Sequence, residues 1–271
     1  MESTGARGFG AFAGLHPLGG GKLLAASTDG VGTKLMLARA RGELRACGAD
    51  LAAHCINDVI TTGATPLVLL DYVAASEIHL EEVAELVDGA AEVCRDAGVA
   101  LVGGETAELP GIYRDGELDF AGTCVGVVDE SELVDGSTVV AGDAVIGFAS
   151  NGVHANGFTL ARAVLEEEDY DGADLLARTR LYLPEVRALR GRAKAFAHVT
   201  GGGIAGNLDR VVPTGLHAGL DWDAWERPPV FAWLARHVAE EELRRVFNLG
   251  VGFCAVVADP QPGELVIGRI A

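Results

Sequence analysis

Basic residues are scarce in this chain. Its 271 residues carry 21 Lys and Arg against 39 Asp and Glu, a formal net charge of −18. That balance argues against broad contact with nucleic acid, whose phosphates call for a basic surface. It still allows a small phosphorylated ligand to be gripped locally by backbone N–H groups and a metal ion. Long hydrophobic runs are missing too. No stretch is long enough to span a bilayer, and the opening MESTGARGFGAFAGLHPLGGGK holds no continuous apolar core of signal-peptide length. The expectation is a cytoplasmic protein with no membrane contact. The five cysteines (Cys47, Cys55, Cys94, Cys124, Cys254) are odd in number and form no C-x-x-C. Buried, reduced thiols are therefore expected.

Several familiar catalytic signatures are absent as well. GGGKL (19–23) ends like a phosphate-binding loop but lacks the upstream glycine and has Leu23 in place of Ser or Thr. GVGTKL lacks the third glycine of a dinucleotide-binding turn. SNGVHANG is not a G-x-S-x-G elbow, and histidines and cysteines lack zinc spacing.

What is present is a globular composition, 49% hydrophobic and 22% charged, enough for sizeable cores. Apolar runs predict strands over 22–27, 66–75, 99–104 and 120–129, the third of them running out into a loop at its paired glycines. Helical spacing predicts helices over 49–62 and 79–98, the second lined by Leu80, Val83, Leu86, Val87, Ala90 and Cys94 and capped by Gly98. After a polar stretch the style repeats, with AVIGFAS, AFAHVT, GFCAVVA and ELVIGRI as strands and a helix from near Phe158. A boundary near 130–142 divides an N-terminal domain, 1–130, from a C-terminal domain, 131–271. Strands and helices mix in both, so the fold class is α/β or α+β.

Four clusters carry chemistry. STDGVGTKL (27–35) puts Asp29, Gly30, Gly32, Thr33 and Lys34 in one tight turn. Asn57 and Asp58 are polar residues on an apolar helix. GGETAELPGIY (103–113) places Gly104 before Glu105 and Thr106. The fourth is split among SNGVHANG (150–157), HVTGGG (198–203) and FNLGVG (247–252). Glycines with small polar donors at the ends of apolar runs bring backbone amides close to phosphate oxygens. Asp29, Asp58 and Glu105 are hard carboxylates suited to Mg²⁺, which is usually held by one or two carboxylates plus substrate phosphates. The residues alone point to a magnesium-dependent phosphate or nucleotide enzyme.

Taken together and in order, STDGVGTKL, INDVITTGATPLVLLDYVA, LVGGETAELPGIY, SNGVHANGFTLAR, HVTGGG and RVFNLGVG closely resemble the phosphoribosylformylglycinamidine cyclo-ligase family, the aminoimidazole ribonucleotide synthetases. The resemblance covers 27–252. It implies two mixed α/β domains, with the first domains of two subunits pairing through their sheets as a homodimer. It also implies ATP-driven closure of formylglycinamidine ribonucleotide to 5-aminoimidazole ribonucleotide in purine synthesis, with ADP and phosphate released. On that resemblance Asp29 and Asp58 hold Mg²⁺ on ATP, the amides of Gly30 and Gly32 contact phosphate, and Lys34 offsets developing charge. Thr33, Asn57, Gly104, Glu105 and Thr106 complete the nucleotide side, with Glu105 a third metal ligand. Asn151, His154, Asn156, Gly201, Gly202, Gly203, Asn248 and Gly250 line the substrate side. His154 and His198 are the candidates for moving a proton.

The family also carries a longer N-terminal segment with a mobile loop that closes over nucleotide, where this sequence has a GFGA fragment. It has a further C-terminal helix where QPGELVIGRIA stands here. Val153 and Ala155 stand where the family usually has Pro and Ser. Two alternatives stay open beside the active enzyme: a homologue that binds nucleotide without turnover, and a related small-molecule kinase or synthetase.

Overall fold

The computed structural model describes residues 11–271, so GFGA lies outside them except for Ala11. The first half forms one five-stranded sheet. β1 (Gly14–Gly19) and β2 (Lys22–Gly30) make a hairpin about Gly20 and Gly21. α1 (Lys34–Arg41), α2 (Leu44–Ile60), β3 (Thr65–Ala75), α3 (Leu80–Ala97), β4 (Ala100–Glu108) and β5 (Leu118–Asp129) follow. The strand order is β1-β2-β5-β3-β4. β3 and β4 run parallel with α3 as their crossover, and the other neighbours are antiparallel.

Alternation along β5 separates the two faces of this sheet. Phe120, Gly122, Cys124, Gly126 and Val128 are buried, and the residues between them are half-buried. The buried face packs against α2, in which every residue but Arg45 and Ala46 is buried. A helix enclosed on all sides needs apolar or well-partnered side chains all round. Asp50, His54, Asn57 and Asp58 are the polar exceptions on α2, and their spacing of four, seven and eight residues puts them on one face.

The second half holds β6 (Ala144–Ala149), α4 (Phe158–Glu167), α5 (Leu183–Ala188), β7 (Ala193–His198), α6 (Gly203–Leu208), β8 (Ala218–Leu220), α7 (Pro229–Leu234), α8 (Glu240–Val246), β9 (Val251–Val257) and β10 (Val266–Ile270). Its sheet is antiparallel, in the order β7-β9-β6-β10-β8. Apolar residues of both halves, from Leu23 and Ile56 to Phe158, Tyr182 and Phe253, share one continuous core. All five cysteines are free and buried.

The mixed α/β expectation holds, and three local readings change. The helix expected from Ala49 begins at Leu44. Gly48, inside that longer helix, marks a close approach: a Cβ there would sit 1.9 Å from the Leu86 carbonyl oxygen, and one on Gly89 of α3 would sit 2.0 Å from that of Arg45. The supposed loop GGETAE is the outer half of β4, because its backbone pairs with β3 as far as Glu108. Leu80, expected on the buried face of α3, is 80% exposed at the first residue of that helix.

Candidate active site

The sharpest polar cluster lies where α2 meets the second domain. His198, the last residue of β7, brings Nδ1 to 2.8 Å from Asp58 Oδ1, and the Ser27 hydroxyl donates to Asp58 Oδ2 at 2.8 Å. One turn earlier on α2, His54 Nδ1 lies 3.2 Å from Asp29 Oδ2, and Asp29 Oδ1 accepts the Gly30 N–H at 2.7 Å. The two imidazoles meet edge to face, with centroids 4.9 Å apart. Each ring keeps a buried Nε2 with no hydrogen-bond partner.

The environments push these groups apart. Burial holds His198 below the ordinary histidine value despite Asp58. Burial also opposes charge on His54, but the hydrogen bond and charge of Asp29, with Asp50 and Asp58 nearby, outweigh it and raise its pKa. Burial likewise works against ionised Asp29, yet His54, the Gly30 amide and His198 hold its pKa below the usual range. The pattern biases His54 toward the charged form beside Asp29 and His198 toward the neutral form, whose free Nε2 is suited to accepting a proton. His54 and Ser27 were not among the expected site residues. The signal for His54 was available: it falls four residues after Asp50 and four before Asp58.

His154 sits at φ +66°, 1% exposed. Its Nε2 accepts the Asn151 N–H at 3.2 Å, and Nδ1 is buried without a partner. Burial, then the positive charges around it, hold its pKa well below the ordinary value. Asn156 keeps a buried, unpartnered Nδ2 and lies beside Gly201, where a Cβ would be 3.7 Å from Asn156 Oδ1. Gly201 and Gly202 are exposed at the start of α6. Gly203 is packed under Arg244, whose carbonyl oxygen would lie 1.8 Å from a Cβ.

Four expectations are corrected here. Lys34 does not face a phosphate site: its ammonium is 0% exposed, 2.7 Å from Asp50, and donates to the carbonyls of His154 and Ala177 at 2.7 and 3.0 Å. Asn57 is equally enclosed, donating to the Arg180 carbonyl and accepting the Tyr182 N–H. Asn248 is saturated by backbone and Ser150, holding Gly152, Val153 and Gly250 in place. Asp29, Asp58 and Glu105 do not converge, and among the described residues no group of three or more His, Cys, Asp or Glu is placed to hold a metal. Register supplies the reason. Asp29 pairs across β5 and β3 in the row Asp29, Gly122, Asp71, Gly104, whereas Glu105 is in the next row with Tyr72. Adjacent rows leave opposite faces of a sheet.

That row identifies a missed acid. Asp71 lies over Gly104, where a Cβ would come within 2.0 Å of its Oδ1, and burial raises its pKa. Thr33 meets Thr159 of the second domain at 3.2 Å between hydroxyl oxygens, while Glu105 and Thr106 are exposed on β4.

Two mixed α/β domains joined in one chain, with the buried acid–histidine cluster where they meet, define the class of this protein, and the two-domain fold is known from other solved structures. The solved ThiL protein described as complexed with AMPPCP and TMP superposes with a TM-score of 0.71 at 15% identity, covering 99% of this chain and 87% of its own. The Escherichia coli hydrogenase maturation protein HypE gives a TM-score of 0.68 at 19% identity, over 91% of this chain and 79% of its own. At such identities the likeness is one of fold. The sequence goes further. The model of the AIR synthase related protein N-terminal domain matches residues 10–128, and that of its C-terminal domain matches 140–266. The chain belongs to the AIR synthase related family. Proteins named phosphoribosylformylglycinamidine cyclo-ligase from Synechococcus sp. (strain CC9605) and Sorangium cellulosum (strain So ce56) are 48% and 50% identical to it, each over 92% of this chain and 78% of their own length.

Proposed function

We propose that this protein closes the imidazole ring of 5-aminoimidazole ribonucleotide from formylglycinamidine ribonucleotide, converting ATP to ADP and phosphate. The observation that carries this reading is the 46–50% identity to cyclo-ligases across 87–94% of the chain. ATP transfers its terminal phosphoryl group to the formyl oxygen, the amidine nitrogen attacks that carbon, and phosphate leaves with the oxygen. Ring closure is intramolecular, so holding the substrate folded supplies much of the rate. Phosphoryl transfer needs positioning and charge neutralisation more than a strong base.

His198 is the residue best arranged to take a proton in this sequence, neutral and anchored to Asp58 with a free Nε2. Asn151, Asn156 and the Gly201–Gly202 turn, all of the second domain, would form a substrate wall. Mg²⁺ would neutralise charge on the triphosphate. The chain fits such an ion through few ligands, as Mg²⁺ prefers when phosphates share it. Asp29, with its side chain 34% exposed against 12% for Asp58, and Asp71 on the same sheet row would hold it.

The reading extends to assembly and location. Leu67, Leu70 and Val102 are 46%, 41% and 56% exposed on the first domain's sheet, an apolar surface that a second copy would cover as a homodimer. Five reduced, buried cysteines suit the cytoplasm. The test is direct: purified protein is incubated with ATP, Mg²⁺ and formylglycinamidine ribonucleotide. Stoichiometric aminoimidazole ribonucleotide and ADP are expected. ADP without the ring product would refute the assignment.

A further inference from the structure

One stretch of the second domain is held on both sides. Residues 177–182, without regular secondary structure, cross the polar face of α2. From the first domain, Lys34 donates to the Ala177 carbonyl at 3.0 Å. Asp50 Oδ1 accepts both the N–H and the hydroxyl of Thr179, at 2.7 and 2.8 Å. Asn57 takes Arg180 and Tyr182 through its amide, at 2.9 and 3.0 Å. From the other side, Asn151 donates to the Arg178 carbonyl at 3.3 Å, and Arg180 and the Tyr182 hydroxyl donate to the Ala149 carbonyl at 3.2 and 3.0 Å. The strap therefore joins α2 to the 149–154 loop that ends at His154.

Lys34 closes this circuit directly. Its ammonium, fully enclosed with Asp50, also binds the His154 carbonyl at 2.7 Å. His154 is one of only two described non-glycine residues with positive φ, a conformation held only where surrounding contacts over-determine it. A buried ion pair gains little stability over well-packed apolar residues, so stability alone is a weak explanation for this one.

We propose that Lys34 and Asp50 are positioning residues: their enclosed ion pair fixes the 177–182 strap and the His154 backbone against α2, and so sets His154 and the Asn151 loop relative to His198 and Asp58. The catalytic consequence rests on the ring-closing function proposed above; the positional one does not.

The test separates geometry from stability. Lys34→Met and Asp50→Leu each strand one buried partner, while the double variant removes both charges at similar volume. Both single variants are expected to melt lower than wild type. The double variant is expected to melt above both single variants but below wild type, because Thr179 and the carbonyls of Ala177 and His154 lose their partners, and to keep a kcat reduced about 10- to 100-fold, with KM for ATP within about 2-fold. A double variant with wild-type kcat would overturn the proposal. Histidine ring nitrogens, labelled with ¹⁵N and assigned through His154→Asn, provide a readout independent of turnover. The His154 signals are expected to move in the double variant, and unmoved signals would overturn the proposal. If wild type forms no ring product, the functional reading fails while the nitrogen spectra still decide the positional one. Should the charge variants not fold, Thr179→Val strands no charge. It is expected to shift the His154 signals and lower kcat several-fold, and no change in either would overturn the proposal.

Discussion

His54 and His198 lie edge to face at 4.9 Å, each tied through Nδ1 to a different aspartate, Asp29 and Asp58. One pair belongs wholly to the first domain, and the other crosses from the second. Two like rings are thus given opposite electrostatic settings: His54 is raised toward the charged form and His198 lowered toward the neutral one. Sites that separate acid from base roles do so by this kind of environmental contrast.

Asp58 holds His198 Nδ1 at 2.8 Å, and in the proposed reaction its charge would compensate an imidazolium formed when the ring takes a proton. Asp58→Asn keeps an acceptor oxygen but loses that charge. Steady-state assays of ring closure are expected to show kcat lower by about 100-fold or more, with KM for ATP little changed. A variant within a few-fold of wild type would remove the pair from the mechanism.

The pH dependence of stability carries the mark of His154. Burial first, then neighbouring positive charge, that of His54, Lys34 and Arg180 included, holds it well below the ordinary value of 6.5. The folded state therefore keeps the neutral ring, and the associated stability is complete above about pH 6.5. It declines as the pH falls below that point, because the unfolded chain binds a proton that the folded chain refuses. In His154→Asn, urea midpoints measured between about pH 6.5 and 5 are expected to fall less steeply than in wild type. Equal slopes would contradict the assignment. Asparagine is the suitable replacement because it tolerates left-handed backbone.

The contact between α2 and α3 depends on two missing side chains. Alanine is a better helix former than glycine by about 1 kcal/mol, yet Gly48→Ala would place a methyl 1.9 Å from the Leu86 carbonyl oxygen. Backbone overlap outweighs propensity, and a net destabilisation of about 1–3 kcal/mol is expected in chemical denaturation. A stabilised variant would show that the helices separate freely.

Dimerisation through the first sheet can be tested at Leu70, which pairs with Thr123 on the less buried face and is 41% exposed. Leu70→Glu puts a charge on that face at little expense to the monomer. Light scattering after size exclusion is expected to show a dimer for wild type and a monomer for the variant. An unchanged dimer would place the interface elsewhere.

The metal expectation shows where reading the chain stops. Asp29 and Glu105 both stand in glycine-rich stretches after apolar runs, and nothing local separates their roles. Their separation comes from register: β4 pairs with β3 so that Gly104, not Glu105, shares a row with Asp29. A shift of one residue decides which face a strand's side chain leaves. Asp71 passed unnoticed for the same reason, as one acid in a buried strand.

Apolar periodicity, turn chemistry and composition were sufficient for the mixed α/β class, most strands, the Gly98 cap of α3 and the free cysteines. Those properties arise from neighbours in sequence, and the family's motifs are local strings. The tertiary structure alone decided the fate of Lys34, which looked like a phosphate ligand and is instead enclosed with Asp50 and the His154 carbonyl. It alone brought His54 and Asp29 beside His198 and Asp58, 140 residues separating the last two. The direction and partner of a charged side chain depend on which distant segment packs over it, and burial then compels that charge to find its partner there.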